Sequence, residues 1–416
     1  MLKIRPGYLN LIKYTVIIGW LFILFLVSIN YLDRINEVMI YLGVYTIFLM
    51  IVLRNKPSLN LEFVLLLAFG TAYFFIYIQY RDYTTWTYVK YWLGSPMMYF
   101  MGKSFISLKT KSFFKWIIYI VVFGLFIYAG LNMIDYVKEY ATGSGPRYVY
   151  EFWKGHMINA PLMGVYITPM GTLIIYNLFH LNFKKDIVLK IIHLILFGLS
   201  IYFTIILANR SYFLIVPIVF VCMYLLQLVL NKFKMLKPTF IATVFIGLIY
   251  YAYRFDFLGV KTFIIDTDWY VRIIKTMENG LLSDGRFKVY PFIRDQFDLY
   301  PLGGYQMDLG GIVYAHNLWL DVLFAVGLYP FYMLVAYSAL TLFTLFKLNI
   351  AKNIDISVKL LVSSVFLGFT LNFMVEPILE GVPYVFFLFC LINGATYEYV
   401  KVSRIEEKLA KLQTIA

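Results

Sequence analysis

The feature that most constrains this chain is a repeated one. Apolar segments, each about 20 residues long, recur from end to end and are separated by short polar breaks. They run near 14–32, 36–53, 61–79, 115–134, 161–181, 187–207, 211–230, 237–253, 329–346, 357–375 and 381–398, with a shorter one over 90–106, "KYWLGSPMMYFMGKSFI". About 20 predominantly apolar residues are what a helix needs to cross hydrocarbon. The pattern therefore predicts an all-α integral membrane protein with about twelve transmembrane helices.

Composition excludes the soluble alternatives. Of 416 residues, 62% are hydrophobic and 14% charged, against about 45–50% and about 25% in soluble domains. No single soluble core of this length hides so much apolar surface. The net charge of +13 does not point to nucleic acid, because the charges fall in short clusters between apolar segments. Cys222 and Cys390 both lie inside apolar runs and read as small buried hydrophobes. No cleavable signal peptide is expected, since the run at 14–32 is long enough to span and lacks a clear small-residue cleavage site.

Two hydrophilic stretches interrupt the pattern, about 135–160 and a much longer one at 254–316. The expected organisation is helices 1–9 over 1–253 with the smaller loop at 135–160, the large loop at 254–316, helices 10–12 over 317–400, and a tail at 401–416. Within that tail, "VSRIEEKLAKLQ" reads as a short surface helix. Placing the N-terminus in the cytoplasm puts 22 of the 36 basic residues on short inner segments, as the positive-inside rule requires. Both termini are then cytoplasmic and both polar loops face outward.

Lysine and arginine part company across this topology. Of 25 Lys, 19 fall inside; of 11 Arg, eight fall outside, at Arg34, Arg81, Arg147, Arg210, Arg254, Arg272, Arg286 and Arg294. Topology requires only positive charge. Guanidinium adds a planar fork suited to bidentate phosphate or carboxylate binding. The bland alternative is that some of these arginines pair with the loop's own Asp.

Arg210, in "IILANRSYFLIV", sits between two apolar spans with almost no loop to hold it in water. It marks either a functional site or a side chain snorkelling to the outer headgroups. The long outer segment carries Arg286 after the turn-forming Asp284-Gly285, and Arg294 eight residues later, on the same face if 286–299 is helical. Pro301-Leu302-Gly303-Gly304 and Gly310-Gly311 punctuate the approach to His316-Asn317. A loop this long and this rich in Tyr, Phe, Ile and Gly reads as a folded lid or site-forming segment, not a linker.

Imidazole's unperturbed pKa of about 6.5 suits it to take and return a proton at neutral pH, which makes His316 a candidate base; the alternative is a hydrogen-bonded interfacial histidine. Asn317 is placed to orient it or to bind substrate. His156, His180 and His193 lie in the smaller loop, near a span's inner end and within a span. There is no Gly-rich phosphate loop with Lys-Ser/Thr, no HExxH and no CxxC. Asp295 and Asp298 read as solvated loop charges, so no metal or other cofactor is expected. Outer-face aromatics such as Tyr80, Tyr83, Trp86, Tyr148, Tyr150, Trp153 and Tyr305 suit either sugar stacking or the membrane interface.

The ordered set Arg210-Ser211, Gly285-Arg286, Tyr290, Pro301-Leu302-Gly303, His316-Asn317 and Gly327-Leu328 resembles the O-antigen ligase/polymerase superfamily of bacterial membrane glycosyltransferases. The topological likeness covers essentially the whole chain, and the motifs concentrate in about 205–330. Two positions depart from the pattern. Tyr290 stands where many relatives carry Trp, and Asn209 precedes Arg210 where Ser or a small residue is common.

The resemblance implies a GT-C-like fold in a bacterial cytoplasmic (inner) membrane, with the active site on the extracytoplasmic face. It implies transfer of glycan from an undecaprenyl diphosphate carrier to an acceptor hydroxyl, without metal and with inversion. Arg210 and Arg286 would neutralise the diphosphate and His316 would serve as general base. Asn317, Arg294, Arg147 and Tyr290 would contact substrate.

The leading expectation is a polymerase joining lipid-linked repeats of a surface polysaccharide such as O-antigen, capsule or exopolysaccharide. A ligase moving finished glycan to lipid A–core or another terminal acceptor is the alternative, and a transporter of the same lipid-linked glycan the more distant one. The expected partners are the undecaprenyl-diphosphate-linked oligosaccharide, the glycan acceptor and the bilayer. Chain-length regulator and flippase proteins are further expected partners.

Overall fold

The architecture was read from a computed structural model. The structure describes residues 6–53, 58–80, 85–107, 110–140, 145–180, 187–231, 243–244, 247, 250–280, 285–299, 302–304, 311 and 314–415. In chain order the longer elements are α1 (Pro6–Ser28), α2 (Ile35–Val52), α3 (Leu61–Tyr80), α4 (Thr85–Ser107) and α5 (Phe114–Glu139). A hairpin follows, β1 (Tyr148–Tyr150) with β2 (Met157–Asn159). Then come α6 (Ala160–His180), α7 (Ile187–Ile206), α8 (Ser211–Asn231), α9 (Val260–Ile265), α10 (Asp268–Asn279) and α11 (Gly285–Phe297). The chain closes with α12 (Leu318–Val326), α13 (Leu328–Ile350), α14 (Ile356–Phe373), α15 (Ile378–Gly381) and α16 (Pro383–Ile415).

Among the described residues the regular structure is helical apart from that hairpin, and the chain is a multi-pass membrane protein. Among the described residues, six helices are long and apolar enough to cross a membrane: Ile35–Val52, Lys111–Glu139, Ser211–Leu230, Leu328–Ile350, Ile356–Phe373 and Pro383–Gln413. Shorter apolar helices cover Tyr14–Ser28, Leu61–Ile76 and Ile191–Ile206. Eleven of the twelve expected apolar segments coincide with helices; most of the other, 237–253, lies outside the described residues.

Two boundaries differ from expectation. The first helix stops at Ser28, where Asn30, Leu32 and Asp33 adopt left-handed backbone and turn the chain. The C-terminal segment is not a separate surface helix. It continues α16 without a break through Ile415, because no Gly or Pro in 395–415 interrupts it.

The chain forms two compact units, each assembled from distant stretches. One comprises 1–128, 325–354 and 383–416. Its centre is the pair α4 and α16, whose backbones touch through glycines. A Cβ on Gly102 would stand 2.0 Å from Leu391 O, and one on Gly394 would stand 2.0 Å from Tyr99 O. Where lipid is as apolar as the side chains, such close backbone approach is what makes helices adhere. Trp20 stacks on Phe105 at 4.0 Å and donates to Thr46 Oγ1 at 2.8 Å, adding α1 and α2 to that pair.

The second unit comprises 129–324 and 355–382. In it α6 packs against α14 and α15, with Gly368 of α14 against Thr172 and Gly381 of α15 against Leu162. Within the hydrophilic stretch 254–316 the described residues include α9, α10 and α11. The smaller polar stretch forms the hairpin, registered by Val149 opposite Ile158.

Candidate functional site

Arg147, Arg210, Arg286, Tyr290, Arg294, His316 and Asn317 all fall in the second unit. Arg210 occupies the four-residue connection between α7 and α8. That connection is a Schellman turn: Asn209 N–H bonds Thr204 O at 2.9 Å and Ala208 N–H bonds Ile205 O at 2.9 Å. Ala208 takes the left-handed position at φ 50°, where glycine is usual and alanine costs about 1–2 kcal/mol. The turn is held by Asn209, which is buried. Its Nδ2 donates to Ala160 O at 3.1 Å, and its Oδ1 lies 3.0 Å from Ser211 Oγ. Gly164 makes room for it, since a Cβ there would stand 1.9 Å from Asn209 Nδ2. Asn209 therefore builds the turn instead of merely preceding the arginine.

The Arg210 guanidinium is half-buried and donates through Nη1 to Thr276 Oγ1 of α10. Thr276 in turn donates to Arg272 O at 2.8 Å. Phe213 packs on Trp269 with ring centroids 4.7 Å apart, and Tyr202 stacks on Phe263 at 6.2 Å. These contacts seat α9 and α10 on the ends of α7 and α8, so the folded loop reaches Arg210 directly.

His316 also sits on strained backbone, at φ 53°. Single left-handed non-glycine residues cost on the order of 1 kcal/mol and cluster at functional sites. What holds it is the helix it precedes. Asn317 Oδ1 accepts from Trp319 N at 3.1 Å and Leu320 N at 3.2 Å, which makes Asn317 the N-cap of α12. Asp321, one turn into α12 and buried, accepts from Ala315 N at 2.6 Å. Burial pushes the Asp321 carboxyl up to about 7, with Glu380 adding to the rise and backbone N–H groups of Ala315, Asn317 and His316 opposing it. Tyr314 meets the His316 ring edge-on at 6.4 Å.

One turn joins the two stretches. After α14 the chain bends at 374–376. Asn317 Nδ2 donates to Met374 O at 3.3 Å, and Ser211 Oγ donates to Glu376 Oε1 at 2.7 Å. Glu376 is fully buried. The residues flanking Arg210 and His316 are thus fastened to positions two apart in sequence. The sequence reading missed Asp321, Glu376 and Ser211's role. The available signal was a carboxylate inside an apolar run, in "LWLDVLF" and "NFMVEPIL".

The remaining candidates are less convergent. Arg286 is the second residue of α11; its side chain lies outside the described residues, as do Asp284, Pro301, Tyr305 and Gly310. The segment 285–297 is helical, the condition under which Arg286 and Arg294 share a face. However, α11 buries Val289 and Ile293, while the Arg294 side chain is 80% exposed and chelates Asp295 at 2.9 Å. Tyr290 is exposed on the same helix. Leu302-Gly303-Gly304 is tied down, with Gly304 N–H on Leu323 O at 2.8 Å.

Arg147 is exposed at the foot of the hairpin. Its carbonyl accepts from Ala160 N at 3.0 Å, and Ala160 O is the group that Asn209 holds. This brings the hairpin to the Arg210 end of the unit. Among the described residues no cluster of His, Cys, Asp or Glu could hold a metal ion. What the site offers is guanidinium, an imidazole on strained backbone, and a buried acid beneath it. No family model and no curated protein matches the chain.

Proposed function

We propose that the protein is a membrane glycosyltransferase that polymerises lipid-linked repeats of a bacterial surface polysaccharide. The observation that carries this reading is the shared anchorage of Ser211 and Asn317 on the 374–376 turn, which gathers the neighbours of Arg210 and His316 at one end of the unit. A guanidinium and an imidazole whose flanking residues share one turn suit a reaction in which a diphosphate leaves while a hydroxyl loses its proton.

In this reaction the acceptor oxygen forms the new bond to the anomeric carbon. The carbon–oxygen bond to the diphosphate breaks, and its electron pair goes to the undecaprenyl diphosphate. His316 takes the hydroxyl proton. Arg210 and Arg286 neutralise the charge that grows on the leaving oxygens, where electrostatic complementarity contributes most. Attack opposite the leaving group inverts the sugar carbon. Asp321 acts as a positioning residue, since its carboxylate fixes the backbone that presents His316. In the proposed topology the chain spans the cytoplasmic membrane twelve times, both termini are cytoplasmic and the site faces outward.

Gene deletion tests the reading in cells. Loss of a polymerase leaves single repeats on the terminal acceptor. Long chains accumulating on the lipid carrier would indicate a ligase, and unpolymerised lipid-linked repeats trapped on the cytoplasmic leaflet would indicate a flippase.

A further inference from the structure

The first unit carries a cationic cavity that glycosyl transfer does not use. The helices α13 and α16 run side by side in the same direction, with Asn393 Nδ2 donating to Tyr337 Oη at 2.9 Å. Towards their C-terminal ends they border a cavity of about 270 Å³. Lys347 of α13 and Lys401, Arg404 and Lys408 of α16 line it, and none of its lining residues is acidic.

Neighbouring carboxylates offset part of this charge, and Glu407 feels Arg404 as well as Lys411. Glu398 meets Lys401 at 3.3 Å, and Glu407 is taken by Lys411 at 2.8 Å. Among the described residues no carboxylate lies within ion-pair distance of Lys347, Arg404 or Lys408. Helix polarity favours a cation at the end of α13. It does not account for Lys401 and Arg404, because α16 continues to Ile415.

The cavity's depth and its apolar border indicate the occupant. With 33 residues, α16 is about 50 Å long, well beyond the roughly 30 Å of hydrocarbon. Its last turns therefore stand at headgroup level or outside it. Val400 and Ile405 contribute apolar surface to the lining. Phe343 and Phe346 of α13 and Leu409 of α16 are exposed nearby, and Lys347 Nζ sits 3.8 Å over the Phe343 ring. A free phosphate would engage the cations alone. A phosphodiester carrying acyl chains engages both surfaces.

We propose that this cavity binds the headgroup of an anionic phospholipid, its phosphate between Lys347, Arg404 and Lys408 and its chains along Phe343, Phe346 and Ile405. Basic pockets between transmembrane helices are suited to such headgroups.

The test uses purified full-length protein, measuring lipid retention by native mass spectrometry and the thermal midpoint. The probes are phosphatidylglycerol, phosphatidylcholine with the same chains, and glycerol phosphate. Phosphatidylglycerol is expected to be retained and to raise the midpoint, with neither effect from the other two. In K347Q/R404Q/K408Q its affinity is expected to fall on the order of a hundredfold. The single variant R404Q, expected to lose about fivefold, carries the test if the triple variant does not fold. K115Q/K154Q, which removes one charge from α5 and one from the hairpin of the second unit, is expected to keep the lipid. Three results would overturn the proposal: full retention by the cavity variants, equal loss in the K115Q/K154Q control, or glycerol phosphate acting as strongly as the lipid.

Discussion

Ser211 and Glu376 stand 165 positions apart in the chain and meet at 2.7 Å, hydroxyl on carboxylate, at a point with no exposure to solvent for the acid. This contact fixes the first residue of α8, and with it the neighbouring Arg210, to the bend after α14. Removing the hydroxyl leaves a buried carboxylate oxygen without its donor. S211A is expected to lower stability by about 1–3 kcal/mol, read as a fall in thermal midpoint in detergent. S211T, which keeps a hydroxyl, should recover part of it. An unchanged midpoint in S211A would show that the contact does not hold the turn.

Arg210 reaches Thr276 through one arm of its fork. Its proposed role needs a planar fork of donors, which lysine does not supply. R210K is expected to lower glycosyl transfer by about 10²–10³-fold while the protein keeps its thermal midpoint. Wild-type turnover in R210K would reduce Arg210 to a point charge at the membrane surface.

Asp321 gives the fold a pH dependence of definite sign. Burial raises its folded-state pKa to about 7, against about 3.9 for an unfolded aspartate. The folded protein therefore holds a proton that the unfolded chain releases first. Stability from this group is fully present below about pH 4 and is lost as pH rises through about 7. Thermal midpoints measured from pH 5 to pH 8 should fall with pH more steeply in the wild type than in D321N. Parallel profiles would contradict this assignment.

The close approach of α4 and α16 rests on Gly102 and Gly394. A leucine at Gly102 has to displace the backbone of α16. Overpacking of that kind costs about 1–3 kcal/mol or more, so G102L should reduce folded yield and thermal midpoint. G130L is the control, because a Cβ there meets nothing within 4 Å. Equal behaviour of the two variants would sink the packing argument.

Helix placement was legible because apolar length is a strong signal. The segments 36–53, 187–207 and 357–375 match α2, α7 and α14 within two residues. The end of α16 was not legible, because charged "EEKLAK" looks like a surface tail whether or not the preceding span continues through it. The position of Arg210 and His316 at chain bends could be read from their flanks. Their common anchorage could not, since nothing local in "MVEP" says that Glu376 receives Ser211. Asn317 illustrates the same limit. Next to a histidine it suggested orienting that ring or binding substrate, and nothing local announced that its side chain caps α12 and reaches Met374.

The central claim is that this end of the second unit forms glycosidic bonds with His316 as the base. It is tested most directly by reconstituting the purified protein in liposomes with undecaprenyl-diphosphate-linked repeats and measuring polymer length and released undecaprenyl diphosphate. The wild type is expected to make polymer and release the diphosphate in step. H316A, at equal abundance and thermal midpoint, is expected to lose about 10²–10⁴-fold in rate. Movement of the lipid-linked repeat across the bilayer without new bonds, or full polymer synthesis by H316A, would contradict the account.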